Sequence, residues 1–256
     1  LRALTTPPLL TANATRLRQE GVDADEAERA VVMIERALGE RGPMTRLQLR
    51  DQLEAGGIRT AGQAFIHLAM LACLKGLAVR GPMIGGQHAY VLVRDWIGKP
   101  KPVDRDAALA ELARRYLAGH GPASDRDLAK WVGLPLRDVR AGLSSIGGEI
   151  EDAGEGAVRL RGGAAGSARM PRPRLLGAFD PTLVGWASRE EIVGGEESRI
   201  VSGGIFRPFA LVGGRAVALW KWDEGRVAIE SFADVSDRAA RALERDAADV
   251  ARFLEA

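Results

Sequence analysis

The chain has 256 residues, 46% of them hydrophobic, and a formal net charge of +2. That length and apolar content support two or three small domains with true cores and exclude a disordered chain, while so small a net charge does not by itself announce a nucleic-acid binder. One cysteine, Cys73, excludes a disulfide framework and a cysteine-based metal site, and no apolar run approaches the roughly 20 residues of a membrane helix.

The chain opens at Leu1 with LRALTTPPLL, which reads as the interior of a longer sequence. Residues 1–24 are therefore expected to be a partial N-terminal segment with a further region upstream. Asp25-Glu26-Ala27-Glu28 starts a helix, its acids in the first turn where the helix dipole favours them. Val31, Ile34 and Leu38 carry its apolar face, and Gly42-Pro43 ends it. Thr45 is a good N-cap for a second helix bearing Leu47, Leu49 and Leu53. Gly56-Gly57 breaks that helix, and Thr60 to Lys75 makes a third. LAVRGPMIGGQHAYVLV follows as strand, Gly-rich turn and strand. Three helices and a two-stranded wing over residues 25–97 predict a winged helix.

Residues 98–105, with GKPKPVD, are expected to form a stiff linker. The same order then repeats over residues 106–161. Asp106 to Ala118 is a helix with Leu109, Leu112, Ala113 and Tyr116 inward, and Gly121-Pro122 stands where Gly42-Pro43 stood. Ser124 caps a second helix holding Leu128 and Trp131; Gly133-Leu134-Pro135 turns into a third with Leu136, Val139 and Leu143 inward. EIEDAGEGAVRLRG is the wing, with its tip at Gly154-Glu155-Gly156. Residues 162–174, GGAAGSARMPRPR, are an Arg-rich linker. Over residues 175–256 the period becomes alternating, with strands expected at 192–193, 199–201, 205–212, 215–222 and 226–232, joined by Gly-Gly and Asp-Glu-Gly hairpin turns. A last helix starts at the Ser236 cap with the stripe Leu243, Ala247, Val250 and Leu254. The predicted fold class is α+β: tandem winged helices followed by a small antiparallel β-barrel-like domain with a C-terminal helix.

Only five of the 36 basic residues are Lys. Arg suits bidentate phosphate and base contacts better, although a GC-rich genome gives the same bias. In a helix-turn-helix the third helix enters the major groove and needs a polar outer face. FIHLAMLACL, from Phe65 to Leu74, is apolar almost all round, with only Thr60, Gln63 and His67 on a polar edge, so the first unit is expected to be a scaffold. The second unit is the candidate reader of double-stranded DNA. It offers Arg137 and Arg140 on its third helix and Arg126 and Lys130 on the one before, with self-paired charges on a solvated face as the alternative. From Val158 to Leu176 five arginines, Arg159, Arg161, Arg169, Arg172 and Arg174, occur without an acid and suit phosphate tracking. Residues 223–256 hold nine acids against five arginines, which suggests one nucleic-acid face and one solvent face.

No catalytic constellation emerges: there is no P-loop and no dinucleotide fingerprint, and the three histidines lack metal-ligand spacing. No metal site, cofactor or catalytic residue is therefore expected. His120 is expected to cap helix carbonyls, and His88, on the strand face of Tyr90, to be an exposed wing residue or a groove contact. Asp180 begins an Asp-Pro turn or lies as a carboxylate at a domain mouth. Arg207 in GGIFRPF faces a groove or an acid, and Trp220 and Trp222 share a strand face as core or as stacking surface.

RYLAGHGPASDRDLAKWVGLPLRDVRAGL, and LLGAFDPTLVGWASRE followed by VSGGIFRPFALVGGRAVALW, together resemble the winged-helix DNA-binding proteins that include the AlkZ-like DNA glycosylases. Those enzymes unhook interstrand crosslinks and remove bulky alkylated purines. The resemblance implies tandem winged helices around DNA, a β-barrel-like domain and no metal. It also implies a Gln-apolar-Gln or Gln-apolar-Asp triplet in an N-terminal winged helix that positions a water against the sugar. Gln52-Leu53-Glu54 is a superficial lookalike in the scaffold unit and is rejected, so the triplet is expected upstream. The resulting expectation is a DNA-binding relative of DNA-repair glycosylases; if the full-length protein is an enzyme, it is a monofunctional N-glycosyl hydrolase. It would be a monomer in the bacterial cytoplasm, nucleoid-associated when bound, with double-stranded DNA, damaged or intact, as partner and no membrane. A transcription regulator and a protein-interaction or ligand-sensing module are the alternatives.

Overall fold

A computed structural model describes residues 2–98, 102–162 and 170–255. The chain divides into two compact units, Leu1–Ala108 and Leu109–Ala256. Arg169 and part of each expected linker lie outside the described residues.

The first unit is built around α4 (Ala64–Leu74). It follows α1 (Arg2–Gln19), α2 (Ala24–Arg41) and α3 (Arg46–Ala55). The expected first, second and third helices of this half correspond to α2, α3 and α4; α1 precedes them. Each start has a local cause. Asp23 caps α2 by accepting from the Glu26 amide, and Thr45 with Gln48 forms a reciprocal capping box on α3. The third helix begins at Ala64 rather than Thr60, since residues 61–63 form a turn. Both α1 and α2 pack on α4, which buries Phe65, Leu68, Ala69, Leu71 and Ala72. These join Val31, Ile34, Leu38, Leu49 and Leu53 in one core. Leu47, expected inside, is 58% exposed, because Leu49 and Leu53 take the inward positions of α3. The polar edge expected on α4 is partly consumed internally: Thr60 is buried and the His67 ring meets buried Asn13 at 2.9 Å, whereas Gln63 is exposed and donates its backbone N–H to Glu20. A hairpin, β1 (Ala78–Ile84) and β2 (Gln87–Leu92), completes the unit, followed by the short α5 (Val93–Trp96).

In the second unit α6 (Arg105–His120) carries buried Leu109, Leu112, Ala113 and Tyr116. The two-residue β3 (Ala123–Ser124) leads into α7 (Asp125–Val132), and left-handed Gly133 ends that helix at φ 70°. Next come α8 (Leu136–Ser145), β4 (Ile150–Gly154) and β5 (Ala157–Leu160). β3 pairs with β5, so the expected two-stranded wing is a three-stranded sheet. Inward packing of α8 rests on Val139 and Gly142, while Leu136, expected inside, is 36% exposed. Gly142 allows a close approach: a Cβ there would lie 2.6 Å from the Leu109 carbonyl oxygen.

The remaining chain forms β6 (Arg174–Leu176), α9 (Pro181–Val184), α10 (Glu190–Val193) and α11 (Glu197–Ile200). Then follow β7 (Val201–Ser202), β8 (Ile205–Phe206), β9 (Phe209–Val212), β10 (Arg215–Asp223), β11 (Arg226–Ser231) and α12 (Asp237–Glu255). Three expected strands are corrected: residues 192–193 belong to α10, residues 199–200 to α11, and the single strand expected at 205–212 is broken at Arg207-Pro208 into β8 and β9, which lie in different sheets. No closed barrel is found among the described residues. The main sheet is open, in the order β11-β10-β9-β6. Alternation decides what covers it. Leu176, Phe209, Leu211 and Ala216 face Leu183, Val193 and Ile200 of the short helices, whereas Leu175, Ala210 and Val217 face Leu243 and Val250 of α12. A sheet already covered on both faces has no apolar need to curl into a barrel.

Candidate nucleic-acid interface

α7 and α8 form the candidate site. Ser124 and Asp127 make a capping box that fixes the start of α7. Arg126 and Lys130, one helical turn apart, are exposed and have no ion-pair partner among the described residues. On α8, Arg137 projects with its side chain 86% exposed and only a 3.5 Å approach to neighbouring Asp138. Arg140 is held by Asp125 at 2.6 Å.

Other expected cations divide in the same way. Arg159 pairs with Glu151 across the β4–β5 hairpin at 2.7 Å. Arg174 pairs with Asp246 of α12 at 3.0 Å, and the same carboxylate accepts from the Leu175 amide, so Arg174 anchors the sheet to α12. Arg161 and Arg172 are exposed without an ion-pair partner among the described residues. The β4–β5 tip itself carries Glu155, with Glu151 and Asp152 behind it, which opposes phosphate. The structure thus leaves Arg126, Lys130, Arg137, Arg161 and Arg172 available, with Arg140 behind an exposed pair that a phosphate can exchange at small cost.

Asp180 caps α9 by accepting from the Thr182 amide at 2.8 Å, which engages the carboxylate in its own turn. Arg207 is exposed, and its amide donates to the Ile200 carbonyl. His88 is exposed near the β1–β2 tip, opposite Met83. Trp220 donates its indole N–H to the Leu176 carbonyl and packs in the core, while Trp222 is 38% exposed. Among the described residues no group of His, Cys, Asp and Glu is arranged to hold a metal ion, and no helix is long and apolar enough to cross a membrane.

His120 is corrected. Rather than capping carbonyls, its ring stacks on Tyr116 at 4.6 Å and meets Trp131 at 5.7 Å and Trp186 at 5.8 Å. Tyr116 donates to the Gly185 carbonyl at 2.7 Å. Burial first, then the nearby Asp127 charge, push the Tyr116 phenol well above its ordinary value. Asp127 also reaches the same segment, its Oδ1 accepting from the Ala187 amide at 2.8 Å. Desolvation alone would raise this carboxyl. Donation from the Ser124 hydroxyl and from the Ala187 and Ser124 amides outweighs it and holds the group below its usual value. Sequence reasoning missed this joint; the i, i+4 spacing of Tyr116 and His120 was the available signal, but Trp186 and Ala187 are far away in the chain.

Comparison with known proteins adds three findings. The chain is 28% identical over 195 residues to an interstrand DNA cross-link repair glycosylase of Streptomyces sahachiroi, an alignment covering 70% of this chain and 52% of that protein. The chain therefore spans about half the length of this curated relative. Its fold is similar to the solved structure of Streptomyces sahachiroi DNA glycosylase AlkZ, with a TM-score of 0.70 at 23% identity over 92% of this chain and 68% of the other. A family model described as DNA glycosylase AlkZ-like matches residues 1–253, and on that near-complete match the chain belongs to the AlkZ-like DNA glycosylase family.

Proposed function

We propose that these residues grip double-stranded DNA for a glycosylase that acts on damaged bases or crosslinks. The observation that carries the reading, beside the family, is α8: it buries Val139 and Gly142, the latter close against Leu109 of α6, while Arg137 stands almost fully in solvent. We read residues 25–97 and 106–161 as two winged helices, the second being the reader. Its helix α8 presents guanidinium groups to the duplex, with Arg126 and Lys130 of α7 set against the phosphates. Arg161 and Arg172 extend the cationic surface, and Arg169 belongs with them by sequence. The protein acts as a monomer, without a metal, in the bacterial cytoplasm.

No side chain is given a bond-breaking role. In Gln52-Leu53-Glu54, Leu53 is fully buried and Glu54 accepts from both Arg50 and Thr60, which supports a structural part for that triplet.

The test is salt-dependent binding of a fluorescent duplex by the 256-residue chain. Affinity should fall linearly on a log–log plot, with a slope of about −0.9 per neutralised phosphate. Changing Arg126, Lys130, Arg137, Arg161 and Arg172 to Ala should flatten that slope by about one per contacting residue removed. An unchanged slope overturns the interface.

A further inference from the structure

The β1–β2 and β4–β5 hairpins, which follow the third helices of the two repeated stretches, carry opposite chemistry. The β4–β5 tip is acidic, whereas residues 55–94 contain no Asp or Glu at all. Within that stretch the β1–β2 hairpin closes through Gly85-Gly86, with φ of 53° and 76°, the tight two-residue turn that requires left-handed positions. Just before the turn stand Met83, 56% exposed, and Ile84, 39% exposed. They pair across the hairpin with His88 and Gln87. A register shift between Arg80 and Met83 bends the strand at Gly81-Pro82. A Cβ added at Gly85 or Gly86 would meet nothing within 4 Å, so nothing crowds the turn itself. Arg80, in the stem, has no ion-pair partner among the described residues.

Solvated hairpin tips ordinarily end in polar residues, and two apolar side chains at an acid-free tip over a free guanidinium match a duplex better than they match water. We propose that the β1–β2 hairpin is an apolar wedge: Met83 and Ile84 enter the minor groove of a bound duplex and part a base step. The charge pattern selects this occupant. A hairpin whose own residues carry Arg80 and no acid attracts a polyanion, and among polyanions a stacked duplex offers an apolar gap between bases. Gln87 and His88, beside the wedge, face the groove edge as hydrogen-bonding groups. The proposal rests on the reading that the chain binds duplex DNA, and it gives the first unit, expected to be scaffold, a direct part in that binding.

The test uses the 256-residue chain and a duplex with 2-aminopurine at successive positions, labelled at both ends for energy transfer. Wild-type binding should raise fluorescence at one step and shorten the end-to-end distance, as a kink of roughly 20–90° requires. Met83→Ser/Ile84→Ser should lose both signals and at least about tenfold in affinity, the lost apolar burial being partly offset by the unstacking no longer required. Met83→Leu/Ile84→Val should keep both signals. Both sites are solvent-facing, so unchanged melting temperatures are expected. Wild-type binding without a fluorescence rise, or a serine variant that keeps both signals, overturns the wedge and leaves duplex binding standing. A wild-type chain that binds no duplex overturns the functional reading and the wedge with it.

Discussion

α4 and α8 occupy the same place in the order of their respective units, yet they are used oppositely. α4 is packed by α1 and α2 and is apolar nearly throughout, with its one histidine, His67, paired to Asn13 inside the unit. α8 buries only Val139 and Gly142 and turns Arg137 and Arg140 outward. A repeated chain order therefore does not imply a repeated role: whether the third helix gains a second packing partner decides whether it can meet a ligand. In the first unit α1 is that partner, and the exposed chemistry shifts from the helix to the hairpin beside it.

The contrast can be tested on stability. Leu68→Ala, at a position with no exposed surface, should cost about 2–5 kcal/mol in denaturant unfolding. A smaller loss would show that α4 is looser than its packing implies. Gly142→Ala should come next, at about 1–3 kcal/mol, because the new Cβ would strike the Leu109 carbonyl oxygen, a backbone atom that cannot swing aside. Asp127→Ala should cost about 1–2 kcal/mol by leaving the Ser124 and Ala187 amides without their acceptor. Its pH dependence has a definite sign. The carboxyl is held below its ordinary value in the folded state, so its contribution is complete above about pH 4 and fades as pH falls through the lowered value. Asp127→Asn should therefore flatten the acid limb of the melting curve; an unaltered limb refutes the linkage. Smallest of all, Arg137→Ala should change stability by no more than about 0.5 kcal/mol while weakening duplex binding. If melting temperature and binding fell together, α8 would be a structural helix like α4.

Much of the helical half was legible. The Asp23, Thr45 and Ser124 regions carry cap chemistry that acts within four residues, and the apolar faces of α2, α3 and α6 follow a helical period. The C-terminal half was less so. Ile192-Val193 and Arg199 to Val201 look like strands because short β-branched runs have no period long enough to tell strand from a single helical turn. Leu47 and Leu136 show the opposite limit, where helix starts offer more apolar residues than the core admits. Of the candidate site, the residue types were visible but their availability was not. Arg140, Arg159 and Arg174 look no different in sequence from Arg161 and Arg172, yet the first three meet acids 15, 8 and 72 positions away.

Asp127 has a consequence for how the second unit comes together. One carboxylate serves both the start of α7 and the amide of Ala187, a residue that arrives sixty positions later. Until that later segment is in place, one oxygen of the cap has only water to satisfy it. The N-terminus of the helix bearing Arg126 and Lys130 is thereby tied to the Ala187 segment through a single side chain, so loosening either one withdraws a hydrogen bond from the other.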